Sequence, residues 1–510
     1  MKAQMGMYLV MGIVQAFVFV GLLQGANYFM MSGGLFGRIG REKASKAKVD
    51  VKWDEVIGME SAKEEAWELV KLLKDRSLIQ AIGGKVVKGT MMIGPPGCGK
   101  TYLAKAIATE CGLPMLSVSG SEFVGMFVGQ GAAQMKAVFK QARAQAEIHG
   151  GCLIFIDEID SFARPRMADT GFGGGISHNA TINQFLTEMD GLHKTENNIV
   201  VMAATNMGEH ELDSAIVRAG RFDRKTHITK PNLKERKMLF DFYLSKVKID
   251  DSVNANVLAQ RALYYSPSDI DSMIREAGLL SLRDKRDKIN MKDLSEAYDR
   301  VTYGNKTNLK MTDEDKKWTA YHEAGHAIIA YLHPKDDVVK ATIIPRKGFL
   351  GFVSHLPREE YYSRNKETLL AKIKISLASY ASEEITFGST TTGVGGGPGA
   401  DFKTAIEIAR QMVWSYGMGK SGYLGDFRIY SHADATMISD DMKQKLEEDV
   451  QEILQTCMKE AKGYLNDHRD LLNHFAEELI RKEELEYNEI AEIFQKFGLD
   501  THNERFNPEA

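Results

Sequence analysis

Gly94-Pro95-Pro96-Gly97-Cys98-Gly99-Lys100-Thr101 fits the pattern G-x-x-x-x-G-K-[ST], with the apolar Met91-Met92-Ile93 before it and the helix-forming run Tyr102 to Glu110 after it. That strand, loop and helix context is what a phosphate loop requires. Its glycines let backbone N–H groups approach phosphate oxygens, Lys100 adds a point charge at the β and γ positions, and Thr101 can ligate magnesium. The stretch therefore predicts an α/β domain with a parallel sheet.

Two further apolar runs fit the same sheet. Leu153-Ile154-Phe155-Ile156 is continuous, as in a strand buried on both faces, and ends in Asp157-Glu158. Ligands bind at the carboxyl ends of such strands; Asp157 is expected to hold magnesium through water and Glu158 to polarise an attacking water. Ile199 to Ala204 ends in Thr205-Asn206, which places Asn206 beside a γ-phosphate as a polar sensor. Arg218 and Arg221, three apart in Arg218-Ala219-Gly220-Arg221, have little reason to serve their own subunit's nucleotide. An arginine finger acting in trans can add about 10³ to 10⁵ in rate, so the pair implies a ring of subunits.

A second chemistry lies downstream in Tyr321-His322-Glu323-Ala324-Gly325-His326. Residues at i and i+4 share one helix face, so the imidazoles of His322 and His326 can converge on a metal ion with Glu323 beside it. Zinc lowers the pKa of its bound water to about 7, and a neighbouring carboxylate can take the proton during attack on a carbonyl. The flanking Ala320, Ala324, Ala327, Ile328, Ile329 and Ala330 suit a helix, which His333-Pro334 ends.

The chain has 510 residues, enough for two or three domains, and a net charge of only -4, which gives no electrostatic footprint for nucleic acid. Its four cysteines form no CxxC pair and read as reduced thiols in a cytosolic setting. No charged residue stands between Lys2 and Arg38, and Met5 to Met31 is mostly apolar, long enough to span a bilayer as a helix. Arg38, Arg41, Lys43, Lys46 and Lys48 follow it, which by the positive-inside rule leaves the body of the protein in the cytoplasm.

In their order, the stretches Gly94–Thr101, Leu153–Asp160, Ala203–Asn206 and Arg218–Arg224 look like an AAA+ ATPase. With Tyr321–His326 added, the chain resembles the FtsH family of membrane-anchored AAA+ metalloproteases from Val51 to about Gly498. The resemblance implies a homo-hexameric ring that hydrolyses ATP with Mg²⁺, unfolds membrane and cytoplasmic proteins, and threads them into a Zn²⁺ protease chamber at a bacterial inner membrane. It also implies roles for further residues: Ile57 and Gly58 beside the adenine, Tyr102 in the nucleotide site, Phe127-Val128-Gly129 as the pore loop that grips substrate, and Asp401 as third zinc ligand. By its spacing alone Asp401 reads as an ordinary helix cap. Glu383 and Glu384 match an acidic pair that supports the metal site.

The expected architecture is an anchor at 1–37, a basic linker at 38–50, an α/β domain at 51–230, a helical lid at 231–304, a mainly helical zinc metalloprotease domain at 305–500 and a tail at 501–510. The expected activity is that of an ATP-dependent zinc endopeptidase. The alternative is a tethered unfoldase or chaperone with an inactive protease domain.

Several positions depart from the family pattern. Cys98 stands where a Thr is usual, and a thiol at a helix N-terminus is expected to have a lowered pKa and to sensitise the ATPase to oxidants. Ser177-His178-Asn179-Ala180 lacks the charged residues used for signalling between subunits. Pro267-Ser268 replaces the Gly-Ala of the second sensor, and Ala219 replaces a Pro. The glycine run before Asp401 is longer than usual, and only one candidate membrane helix is present.

Overall fold

A computed structural model describes residues 51–74, 88–125, 129–166, 174–192, 198–332, 336–346, 348–357, 363–394, 400–427 and 438–499, with Gly21 and Gln24. Apart from Gly21 and Gln24, the expected membrane anchor, basic linker and C-terminal tail thus lie outside the described residues. Among those described, no helix is long and apolar enough to cross a membrane. The chain divides into two compact units, one of residues 1–242 with 264–271 and one of 243–263 with 272–510.

In the first unit the chain runs α1 (Glu60–Lys74), β1 (Gly89–Ile93), α2 (Lys100–Cys111), β2 (Met115–Ser119), α3 (Gln130–His149), β3 (Cys152–Asp157), α4 (Gly174–Gly191), β4 (Ile199–Thr205) and β5 (Arg224–His227). The strands form a parallel sheet in the order β2-β3-β4-β1-β5. Alternation along each strand serves two cores. Ile154 and Ile156 pack with Phe139 of α3 and Phe185 of α4, whereas Leu153 and Phe155 pack with Leu69 of α1 and Leu103 and Ile107 of α2. This double burial is why β3 reads as an unbroken apolar run. Because β1 and β3 both flank β4, the phosphate loop after β1 and the acids at the end of β3 meet at one edge.

Helix α2 begins two residues earlier than Tyr102. Gly99 is left-handed at φ 89°, a conformation glycine adopts without a Cβ penalty, and it starts the helix so that Lys100 and Thr101 fall in the first turn.

The remaining elements are α5 (Leu233–Leu244), α6 (Ala255–Arg261), α7 (Pro267–Arg283), α8 (Met291–Tyr303), α9 (Asp313–Leu332), β6 (Asp336–Thr342), β7 (Phe352–Pro357), α10 (Lys366–Phe387), α11 (Asp401–Trp414), α12 (Asp440–Asp467), α13 (Arg469–Lys482), β8 (Glu484–Glu486) and α14 (Tyr487–Lys496). Helices α5 and α7 each span the division between the units. In the second unit, α9 and its neighbours cover an antiparallel sheet in the order β7-β6-β8. The apolar stripe of the charged α12 buries Leu446, Val450 and Cys457 against Ile373 and Leu377 of α10 and Met412 of α11.

The second unit also contains an ionic network whose centre, Lys340, Arg346 and Asp299, is buried while its acids Glu296, Glu484 and Glu486 reach water. Lys340 of β6, 3% exposed, reaches Asp299 of α8 at 2.7 Å, Glu486 at 2.8 Å and Glu484 at 3.1 Å. Arg346 reaches Glu296 at 3.3 Å and Asp299 at 3.4 Å, and Arg261 of α6 lies 3.7 Å from Asp299.

Candidate functional site: a phosphate loop and a metal centre

At the sheet edge of the first unit, Lys100 Nζ donates to Gly94 O at 2.7 Å, Pro95 O at 2.8 Å and Asn206 Oδ1 at 2.7 Å. Its three donors are thus held by the rim of the loop and by the strand-end residue read as a sensor. Burial lowers the pKa of this ammonium, and nearby Asp157, Asp160 and Glu158 oppose the shift. Thr101 Oγ1 donates to Asp157 Oδ2 at 2.8 Å, which brings the two oxygen groups expected at magnesium together. Glu158 is exposed and left-handed at φ 51°, a conformation that costs a non-glycine residue about 1 kcal/mol and is concentrated at functional sites. Asp160 accepts a bond from Thr205 Oγ1 at 2.9 Å and so ties the ends of β3 and β4; nothing in its sequence setting singled it out.

In the second unit three helices build one pocket. Asp401 Oδ2 lies 3.2 Å from His322 Nε2 and 3.2 Å from His326 Nε2. One donor atom from each of the three residues falls within 4.8 Å of the others. The outer nitrogens are already committed, since His322 Nδ1 donates to Glu383 Oε1 and His326 Nδ1 to Ile375 O, each at 2.7 Å. That leaves both Nε2 atoms and a carboxylate oxygen facing one point. Such a nitrogen and oxygen set, backed by a carboxylate and a carbonyl, fits zinc.

Helix α10 positions the set. Ser379 Oγ donates to Asp401 Oδ2 at 2.6 Å, Ser382 Oγ to Tyr321 O at 2.6 Å, and Glu383 accepts from Thr391 N at 2.6 Å as well as from His322. Gly325 allows the close approach, because a Cβ there would stand 2.6 Å from Ala378 O. Residues 379, 382 and 383 share one helix face. Ser379 and Ser382, small polar residues at helical spacing from Glu383, were the available signal for them, and sequence reasoning singled out only the glutamate.

Charge in this pocket is strongly coupled. Burial lowers the pKa of His322, but Asp401 and Glu383 outweigh it and lift it to about 10. Burial alone would raise the pKa of Asp401; His326 and His322 hold it well below the carboxylate range instead. Glu323 is buried, which pushes its pKa up, with the two imidazoles opposing. A side chain at Gly351 would stand 2.8 Å from Glu323 Oε1, so the start of β7 borders the glutamate directly.

Comparison with known proteins matches residues 90–230 to the ATPase family associated with various cellular activities, 252–296 to the AAA+ lid domain and 309–493 to peptidase family M41. The ATP-dependent zinc metalloprotease FtsH of Borreliella burgdorferi is 39% identical over 482 residues, 92% of this chain and 73% of the relative. The FtsH protein of Thermus thermophilus is 38% identical over 516 residues, covering 96% and 79%, and that of Thermotoga maritima 38% identical over 458 residues, covering 88% and 73%. This chain belongs to the FtsH family of ATP-dependent zinc metalloproteases. Its cofactors are ATP with Mg²⁺ and Zn²⁺.

Other residues expected from the FtsH likeness fall as follows. Gly58, left-handed at φ 72°, adjoins Met59, whose terminal methyl lies 3.3 Å from where a Cβ on Gly99 would stand. Tyr102 hydroxyl donates to Glu55 at 3.3 Å on the surface. Arg221 is bound within its own chain, to Asp190 at 2.9 Å and to Ala215 O, while Arg218 is exposed and makes no side-chain bond among the described residues. Phe127 and Val128 lie outside the described residues, and Gly129 starts α3. Glu384 faces Lys462 at 2.6 Å, so of the acidic pair only Glu383 contacts a histidine.

The expectation for Cys98 is corrected. Its side chain is 1% exposed, and burial raises rather than lowers the thiol's pKa. The helix dipole acts within the first turn, but here desolvation of a thiolate costs more. Ser268, at the altered second sensor, donates to Gly97 O at 3.2 Å and so still reaches the phosphate loop.

Proposed function

We propose that this FtsH-family chain works as a homo-hexamer at a bacterial inner membrane, unfolding membrane and cytoplasmic proteins with ATP and cleaving them processively. The anchor would be residues 1–37, with the α/β domain at 51–230, the lid at 231–304 and the protease domain at 305–500 facing the cytoplasm. The observation that carries the reading is the convergence of His322, His326 and Asp401 beside a buried Glu323, in a chain that also brings Lys100, Thr101, Asp157 and Asn206 to one sheet edge.

In the motor, the loop 94–101 binds the triphosphate with Ile57, Gly58 and Tyr102 around the base, and Asp157 and Thr101 face magnesium. Glu158 orients the water, and Asn206 and Lys100 meet the γ-phosphate. Arg218, exposed and without a side-chain bond among the described residues, is the residue suited to reach a neighbouring subunit's nucleotide; Arg221 stabilises the turn that presents it. Phe127 and Val128, hinged at Gly129, would grip the substrate chain.

In the protease, His322, His326 and Asp401 would hold zinc, which when bound would supply Lewis acidity and lower the pKa of a coordinated water. Glu323, whose pKa burial has raised, takes a proton and returns it to the leaving amine. Glu383 and Ile375 O fix the two imidazole rings, and Ser379 fixes Asp401. No observation favours the alternative of an inactive protease domain.

Glu323→Gln should lower casein cleavage by about 10² to 10⁴ while ATP turnover persists. Lys100→Ala or Glu158→Gln should stop degradation of folded substrates. Unimpaired casein cleavage by the Glu323 variant would remove the protease assignment.

A further inference from the structure

We propose that Glu235 is a positioning residue for the nucleotide, acting as a clamp that holds Met59 against the phosphate loop. Met59 is the residue that opens α1, since its carbonyl accepts from Lys63 N at 2.8 Å. For that place it is wrong twice. Helix-opening residues are normally extended and carry a side-chain oxygen. Met59 is left-handed at φ 56° and carries a thioether, directly after Gly58 at φ 72°. A left-handed residue with a Cβ persists only where its surroundings over-determine it.

Glu235 supplies that constraint. Its Oε1 accepts from Met59 N at 2.8 Å, and its Cβ, Cγ and Cδ lie 3.3 to 3.4 Å from where a Cβ on Gly58 would stand. A Cβ at 58 would crowd the glutamate, and the left-handed backbone there itself favours glycine. The same carboxylate belongs to α5, where Oε2 accepts from Asn232 N at 2.9 Å and Asn232 Oδ1 accepts from Glu235 N at 3.0 Å. Both carboxylate oxygens are therefore fixed by backbone amides. Beyond Met59, its methyl covers Gly99 at the start of α2. A contiguous path thus runs from the first turn of α5 through Glu235 and Met59 to the glycine that opens the phosphate-binding helix.

The sharpest test separates the clamp from the helix cap, and another helix of this chain shows how. At α8, Asn290 and Asp293 make the same reciprocal cap with an aspartate, at 2.9 and 3.0 Å. Glu235→Asp should therefore keep the cap of α5 yet fall short of Met59 N. In steady-state ATP hydrolysis by the full chain, Glu235→Asp should raise KM for MgATP about tenfold with kcat within about twofold, the change expected for one lost charge-assisted hydrogen bond. Asn232→Ala removes one bond of the cap and leaves the Met59 contact, and should leave KM unchanged. An unaltered KM in Glu235→Asp, or an equal rise in Asn232→Ala, would overturn the clamp. The proposal rests on the phosphate-loop reading, which fails separately if Lys100→Ala still binds MgATP.

Discussion

Two buried charged clusters stand in the second unit, and they differ in what their charges answer. Around Asp299, the cations Lys340, Arg346 and Arg261 meet Glu296, Glu484 and Glu486 across four elements, so positive and negative groups compensate one another. Around Asp401, two imidazoles turn their outer nitrogens to Glu383 and Ile375 O, and point their inner nitrogens at one carboxylate oxygen. The first cluster answers its cations with acids of its own, although Arg261 Nε, Asp299 Oδ1, Arg346 Nε and Glu484 Oε2 find no hydrogen-bond partner among the described residues. The second has a donor set whose geometry is answered by a cation. Burial and charge density alone do not distinguish them; the direction of the donor atoms does.

Matched removal of a carboxylate should separate the two most strongly. Asp299→Asn leaves Lys340 and Arg346 buried without their shared acid and should cost about 3 to 5 kcal/mol in chemical denaturation, with zinc content unaltered. Asp401→Asn should abolish zinc retention and casein cleavage. Loss of zinc in both variants would erase the distinction.

A smaller effect is expected from the support of the metal centre. Ser379→Ala removes the hydroxyl that donates to Asp401 and should weaken zinc binding about 10- to 100-fold in competition with a chromophoric chelator, ATP turnover being unchanged. Unchanged affinity would mean that α10 contributes packing alone.

The last effect is the most specific in sign. In chelated protein His322 is raised to about 10 from an ordinary value of 6.5, so its proton contributes stability in full below 6.5, and that contribution fades as pH rises through about 10. A metal requires the neutral ring, hence zinc binding at pH 7 should release protons and its affinity should climb with pH up to about 10. Calorimetry in two buffers of different ionisation enthalpy measures the release; a pH-independent affinity would contradict the coupling to Asp401 and Glu383.

Local spacing carried much of this molecule in readable form. The octapeptide 94–101 needs only its own backbone to curl around an anion, and His322 and His326 lie one helical turn apart, so covalent geometry already aligns them. The unbroken apolar run of β3 likewise declared a strand covered on both faces. What spacing could not supply were partners distant in sequence. Asp401 entered through family resemblance, since an acid opening a helix is ordinarily a cap, and only the packing of α9, α10 and α11 brings its oxygen to the two rings. The division of labour between Glu383 and Glu384 follows from which side of α10 faces α9, and the inert burial of Cys98 from its place beneath the sheet's helices. Sequence alone determined which chemistry the chain carries, because that depends on residue type and near-neighbour spacing; tertiary structure decided which acid serves which base, because hydrogen bonds and desolvation depend on distances that only the packed helices and strands define.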